Sequence, residues 1–183
     1  MELVEPIRNK EKIEAIKNIL AENGTRDLLL FTMGINVGCR ISDLLKLKIE
    51  DVAGKSEVEI KEQKTDKRKK FYINPKVAEL ITQYTEGKNP DTYLFASREG
   101  NGKKHITRQQ AYNIINSACR KAGITDKIGT HTLRKTFGYH HYQQFHDVAM
   151  LQKILNHSAP SVTLRYIGIV DEQIMDNLKN FTL

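Results

Sequence analysis

The sequence predicts an α+β domain, mostly helical, with one small antiparallel β-sheet. Three observations carry that prediction. Apolar residues recur at helical spacing over most of the chain, as at Ile13, Ile16, Ile19 and Leu20. The period falls to two only in the middle, in SEVEIKE and KKFYIN. Helix-start signals recur, among them Asn74-Pro75 and the capping box Thr107-Arg108-Gln109-Gln110. No repeat or Pro/Gly-rich linker divides the 183 residues, so residues 1–183 are expected to form a single domain.

Taken in order, Asn9 to Asn23 reads as an amphipathic helix ending near Gly24. From Arg26 a second helix, LLLFTMGINVG, is apolar on most sides and therefore buried, with Gly38 as its stop. RISDLLKLKIEDV follows as a short helix, Ser42 to Leu47, and then a more extended piece. SEVEIKE and KKFYIN flank the polar QKTDKR, which makes a β-hairpin with a very basic tip. A helix from Asn74 passes through Val77, Leu80 and Ile81, and another from Thr107 runs to Gly123. From Thr132 onward the pattern is helical, broken by starts at Asp147, Ser161 and Asp171.

Hydrophobic residues at 39% and charged residues at 28% describe a folded chain rather than a disordered one. The longest apolar run, Leu28 to Met33, is too short to span a bilayer, and MELVEPIRNK has no secretory core. A cytoplasmic protein with no membrane partner is expected. The net charge of +7 favours a polyanionic partner. Cys39 and Cys119 have no metal-ligand spacing, and no pair among His140, His141 and His146 stands at i,i+3 or i,i+4, so no metal site is expected.

Four stretches hold residues capable of chemistry: GCRISDLL, QKTDK, HTLR and LNHSAPSVTLRY. Singly each has an ordinary explanation. Arg40 can pair with Asp43 on a helix surface, Lys64 can be one more solvated charge, and His157 can close a helix. HTLR puts His131 and Arg134 on one helical face. Together they supply what a metal-free phosphodiester transfer needs. A tyrosine such as Tyr166 is only ~0.1% ionised at neutral pH, so it attacks only where positive charge and a proton acceptor wait. Arginine forks match non-bridging phosphate oxygens, a histidine can move the proton, and a lysine can protonate the departing oxygen.

The order Arg, Lys, His-x-x-Arg, His, Tyr resembles the tyrosine recombinase (phage integrase) family over nearly the whole chain. The resemblance implies that Arg40 and Arg134 clamp the scissile phosphate, with His157 donating a further hydrogen bond. His131 would be the general acid/base, Lys64 the acid for the leaving 5′ oxygen, and Asp43 a structural support for the first arginine. Tyr166 would form a 3′-phosphotyrosyl link and free a 5′-hydroxyl. It further implies double-stranded DNA as partner, no cofactor (neither metal nor ATP), and a tetramer on recombination sites built from a chain that is a monomer alone. Lys67, Lys103, Lys104 and Arg108 are candidate phosphate contacts.

The match loosens in places. Asp66 stands where the family's hairpin often has glycine, which makes Lys67 a rival to Lys64, and Asn156 replaces a common glycine. Members usually carry an N-terminal helical domain. This chain reaches its first catalytic-domain helix within about ten residues, so weak, salt-sensitive DNA binding is expected. The tail after Tyr166, apolar at Ile174, Met175 and Leu178, would fold back on its own domain or dock on a neighbouring subunit. Two alternatives stand beside the recombinase: a non-catalytic helix-turn-helix-like DNA-binding regulator and a type IB-like topoisomerase.

Overall fold

The computed structural model describes residues 4–62, 68–169, 179, 181 and 182. Lys64, Asp66 and Lys67 at the hairpin tip, and the tail from Asp171 to Leu178, lie outside the described residues. The chain forms α1 (Lys10–Asn23), α2 (Thr25–Val37), α3 (Ile41–Leu44) and α4 (Ile49–Val52) before the hairpin β1 (Glu57–Lys61) and β2 (Arg68–Tyr72). After it come α5 (Pro75–Thr85), α6 (Arg108–Lys121), α7 (Thr132–Phe145), α8 (Val148–Leu155) and α9 (Pro160–Ile167). The predicted α+β class is the observed one.

The local signals act as their chemistry requires. Asn9 caps α1 by accepting from the Lys12 N–H, Asn74 caps α5, and Thr107 with Gln110 closes a reciprocal capping box on α6. The strands pair antiparallel from Glu57 opposite Tyr72 to Lys61 opposite Arg68. Val58 and Phe71 face each other and are buried, while Glu59–Arg68 and Glu57–Lys70 ion pairs line the outer face at 2.8 Å each.

One stretch departs from the expectation. After GCR the helix is only Ile41–Leu44, and the extended piece is a single step in which Lys48 bridges Tyr93. Leu94 N–H donates to Leu47 O at 2.8 Å and Ile49 N–H to Thr92 O at 3.0 Å, after which α4 begins. These partners lie more than forty residues away, so a local reading of KLKIEDV had no access to them. The helix expected from Ser161 begins at Pro160, whose fixed φ suits a first turn.

The main core gathers α1, α2, α5 and α6 around Leu20, Leu30, Phe31, Val77 and Ile115. Gly34 and Gly38 let α2 lie flush on α7: a Cβ at Gly34 would come within 2.4 Å of Leu133, and one at Gly38 within 2.6 Å of the Phe137 ring. A second, smaller cluster of Leu151, Leu155 and Ile167 holds α8 and α9 on the far side of α7. The segment bearing Tyr166 rests on this smaller cluster.

Candidate active site

Arg134 projects from the first turn of α7 into the interior and is 2% exposed. Its guanidinium donates to Gly38 O at 3.0 Å and to Leu155 O, so the ends of α2 and α8 both fix its fork. Arg40 precedes α3 in extended conformation, its side chain 15% exposed. Arg40 lies 2.7 Å from the buried carboxylate of Glu62, which also stands 3.9 Å from Arg134. Asp43 itself is buried at the start of α3, in keeping with a supporting place.

His131 does not share a helical face with Arg134. It occupies the position before α7, at φ −95° and ψ −10°, and is exposed where Arg134 is buried. That placement brings its Nδ1 to 3.4 Å from the Tyr166 hydroxyl. Arg108, at the start of α6, reaches Thr130 Oγ1 at 3.5 Å, beside His131. Lys103 and Lys104 are exposed in the turn between Ala96 and His105.

His157 follows α8 in a turn closed by its own N–H to Gln152 O at 3.0 Å and by Gln152 Nε2 to His157 O at 3.1 Å. Asn156 takes the left-handed conformation at φ 52°, which asparagine tolerates better than most residues, so it can replace the usual glycine. The His157 ring lies 4.9 Å from the Tyr166 ring, and its Nδ1 is 3.0 Å from Thr163 Oγ1. The Thr163 hydroxyl also has Ala159 O as an acceptor at 3.4 Å, so its one proton goes either there or to His157 Nδ1, and only the second choice leaves the imidazole proton on Nε2. Burial first, then Arg134, Arg40 and Lys69, push the imidazole from 6.5 down to about 4. At neutral pH His157 is therefore uncharged.

Tyr166, the penultimate residue of α9, is half-buried. Burial raises its phenol above the ordinary value, while the nearby positive charges of Arg134 and Arg40 pull the other way. The phenol therefore stays protonated at neutral pH. Lys135 Nζ lies 5.3 Å from the centre of its ring.

Two groups escaped the sequence reading. Lys69 sits on the inner face of β2, two residues from buried Phe71, and donates to Gly38 O at 3.1 Å. Burial lowers its pKa, and Arg134 and Arg40 add to the effect. Glu62 is 1% exposed at the end of β1, in phase with Val58 and Ile60. Strand alternation places both, because each is an even number of residues from an apolar inward position.

The chain matches the phage integrase family over residues 8–173. It is 46% identical to "Probable integrase/recombinase YoeC" of Bacillus subtilis, over 94% of this chain and 93% of that protein. It spans 52% of a tyrosine recombinase of Pseudothermotoga lettingae, at 31% identity over 82% of this chain. Its fold is that of the XerA recombinase crystal structure, with TM-score 0.78 and 22% identity, covering all of this chain and 67% of XerA. Lambda integrase bound to DNA aligns with TM-score 0.71 and 14% identity over 94% of this chain and 63% of that one, which speaks to the fold alone. This chain belongs to the phage integrase family, the family of the tyrosine recombinases.

Proposed function

We propose that the chain is the catalytic domain of a site-specific DNA recombinase or integrase that cuts and rejoins double-stranded DNA through Tyr166. As a member of its family it is an enzyme of DNA strand transfer. The observation that carries the reading is the Tyr166 hydroxyl lying 3.4 Å from His131 Nδ1, with the charge of the buried Arg134 acting on the phenol. A phenol so placed has its proton acceptor and its phosphate-binding cation together.

In the proposed step the Tyr166 oxygen attacks phosphorus and its proton passes to His131 Nδ1. Arg40 and Arg134 neutralise the charge that builds on the non-bridging oxygens, and His157 Nε2 donates one further hydrogen bond. The bond from phosphorus to the 5′ oxygen breaks, and that oxygen takes a proton from Lys64, with Lys67 the rival donor. A 3′-phosphotyrosyl link and a 5′-hydroxyl result. Because the link preserves a phosphodiester, a 5′-hydroxyl of another strand can reverse the step with no ATP.

Lys67, Lys103, Lys104 and Arg108 would contact backbone phosphates, and four copies would assemble on paired sites from chains that are monomers alone. Support for the DNA partner comes from the net charge of +7 and from lambda integrase, of the same fold, being bound to DNA. A regulator that only held DNA would gain nothing from a tyrosine aimed at an imidazole and a buried arginine.

A nicked duplex, whose 5′ fragment diffuses away after cleavage, tests the reading. The wild-type chain should accumulate a covalent protein–DNA adduct and Tyr166→Phe none, with DNA affinity nearly unchanged because phosphate contacts dominate it. Equal behaviour of the two proteins would leave a DNA-binding regulator. Relaxation of supercoiled DNA of arbitrary sequence by the chain alone would favour the topoisomerase.

A further inference from the structure

Resting on that reading of the site, we infer that Glu62 is a positioning residue for the reaction: its buried carboxylate holds the Arg40 guanidinium where the scissile phosphate must meet it. The strand pattern supplies the first reason. Val58, Ile60 and Glu62 share the inward face of the hairpin, and an acid in that series is costly to bury without partners.

Among the described residues, partners reach it from three separate segments. Arg40, ahead of α3, approaches at 2.7 Å, and Arg134, from α7, stands at 3.9 Å. Asn156, in the turn between α8 and α9, donates through Nδ2 to Oε2 at 3.3 Å. Each segment carries a residue of the proposed chemistry: Arg40, Arg134, and His157 next to Asn156. Glycine at position 156 would fit the backbone but could not reach the carboxylate.

The charges give the second reason. Arg40, Arg134 and Lys69 are cations close enough to disfavour one another's charge: burial is the main cause of the lowered pKa of Lys69, and Arg134 and Arg40 lower it further. A carboxylate among them offsets that repulsion and, through the 2.7 Å charge contact, keeps the Arg40 guanidinium at its side before substrate arrives. Holding a charged donor ready is what makes it effective at a developing anion. Since Glu62 is 1% exposed, a phosphate meets the arginines from the opposite side and leaves the pair intact.

A double-mutant cycle distinguishes positioning from a general role in folding. Single-turnover cleavage of the nicked duplex would be measured for wild type, Glu62→Gln, Arg40→Ala and the double variant, with DNA affinity and circular dichroism for each. Glu62→Gln should slow cleavage about 10–100-fold when Arg40 is present. In the Arg40→Ala background the same change should cost less than about threefold, since the group it positions is gone. Affinity should stay within about threefold throughout, as one of many phosphate contacts is affected. Should Glu62→Gln fail to fold, Glu62→Asp, which keeps the charge but withdraws it by one methylene, is read through the same cycle. Equal losses in both backgrounds would overturn the positioning role while leaving Tyr166 chemistry standing. Absence of any adduct with wild type would overturn the enzymatic reading and Glu62 with it.

Discussion

Gly138→Ala is the substitution that best probes how Tyr166 is held. Gly138 faces the small cluster beneath α9, and a Cβ there would stand 2.7 Å from Ile167 Cγ2 and 3.4 Å from Leu155 Cδ1. Carbon atoms rest at about 3.5–4.0 Å, so α9 must retreat by roughly 1 Å to admit the methyl group. Overpacking of that size costs about 1–3 kcal/mol, which lowers the melting temperature of a domain this large by about 2–12 °C. The functional loss should be the larger effect. Ile167 is the neighbour of Tyr166, and a misplacement of about 1 Å at a reacting group can cost about 10²-fold. Thermal melting and single-turnover adduct formation on a nicked duplex measure the two effects side by side. A variant that melts within a degree of wild type and cleaves within threefold of it would show that α9 does not depend on this contact.

Other consequences can be tested with the same substrates. Lys64→Ala should slow cleavage of ordinary DNA by about 10²–10⁴ yet leave a substrate with sulfur at the departing 5′ position almost unaffected, because a thiolate leaves without an acid. If Lys67→Ala gives that pattern instead, the rival takes the role. The folded chain holds His157 at about 4 against 6.5 when unfolded, so the unfolded state takes up the proton first as pH falls. Stability attached to this group is therefore complete above pH 6.5 and is lost from there towards pH 4, and His157→Gln should melt with a shallower pH dependence in that window. Each of Lys103→Ala, Lys104→Ala and Arg108→Ala should reduce the slope of log affinity against log salt by about 1 if the residue meets a phosphate, as titration at several salt concentrations would read.

The sequence displays the fold class and the main reacting groups because their signals are local or ordered along the chain. Asn9, Asn74 and Thr107 announce helices through side chains that bond within their own first turn. Val58 and Phe71 declare the hairpin by alternation. Contacts between distant segments are hidden for the opposite reason. Asp43 lies one helical turn from Arg40 and is visible as a neighbour in the sequence, whereas Glu62, brought beside Arg40 by the hairpin, comes from twenty-two positions along the chain. HTLR reads as one continuous helix, yet His131 stays outside it, and that one-residue offset separates an exposed imidazole from a buried guanidinium. Lys69 was hidden among neighbouring basic residues, although the phase of Phe71 distinguishes it from Arg68 and Lys70, which point outward to glutamates.

The proposed reaction turns on one oxygen atom, that of Tyr166, becoming bonded to phosphorus. Adduct trapped on a nicked duplex, digested with protease and nuclease, and read by mass spectrometry should place the nucleotide on the peptide containing Tyr166, joined through a 3′ phosphate. A nucleotide found on any other side chain, or joined through its 5′ phosphate, would contradict it.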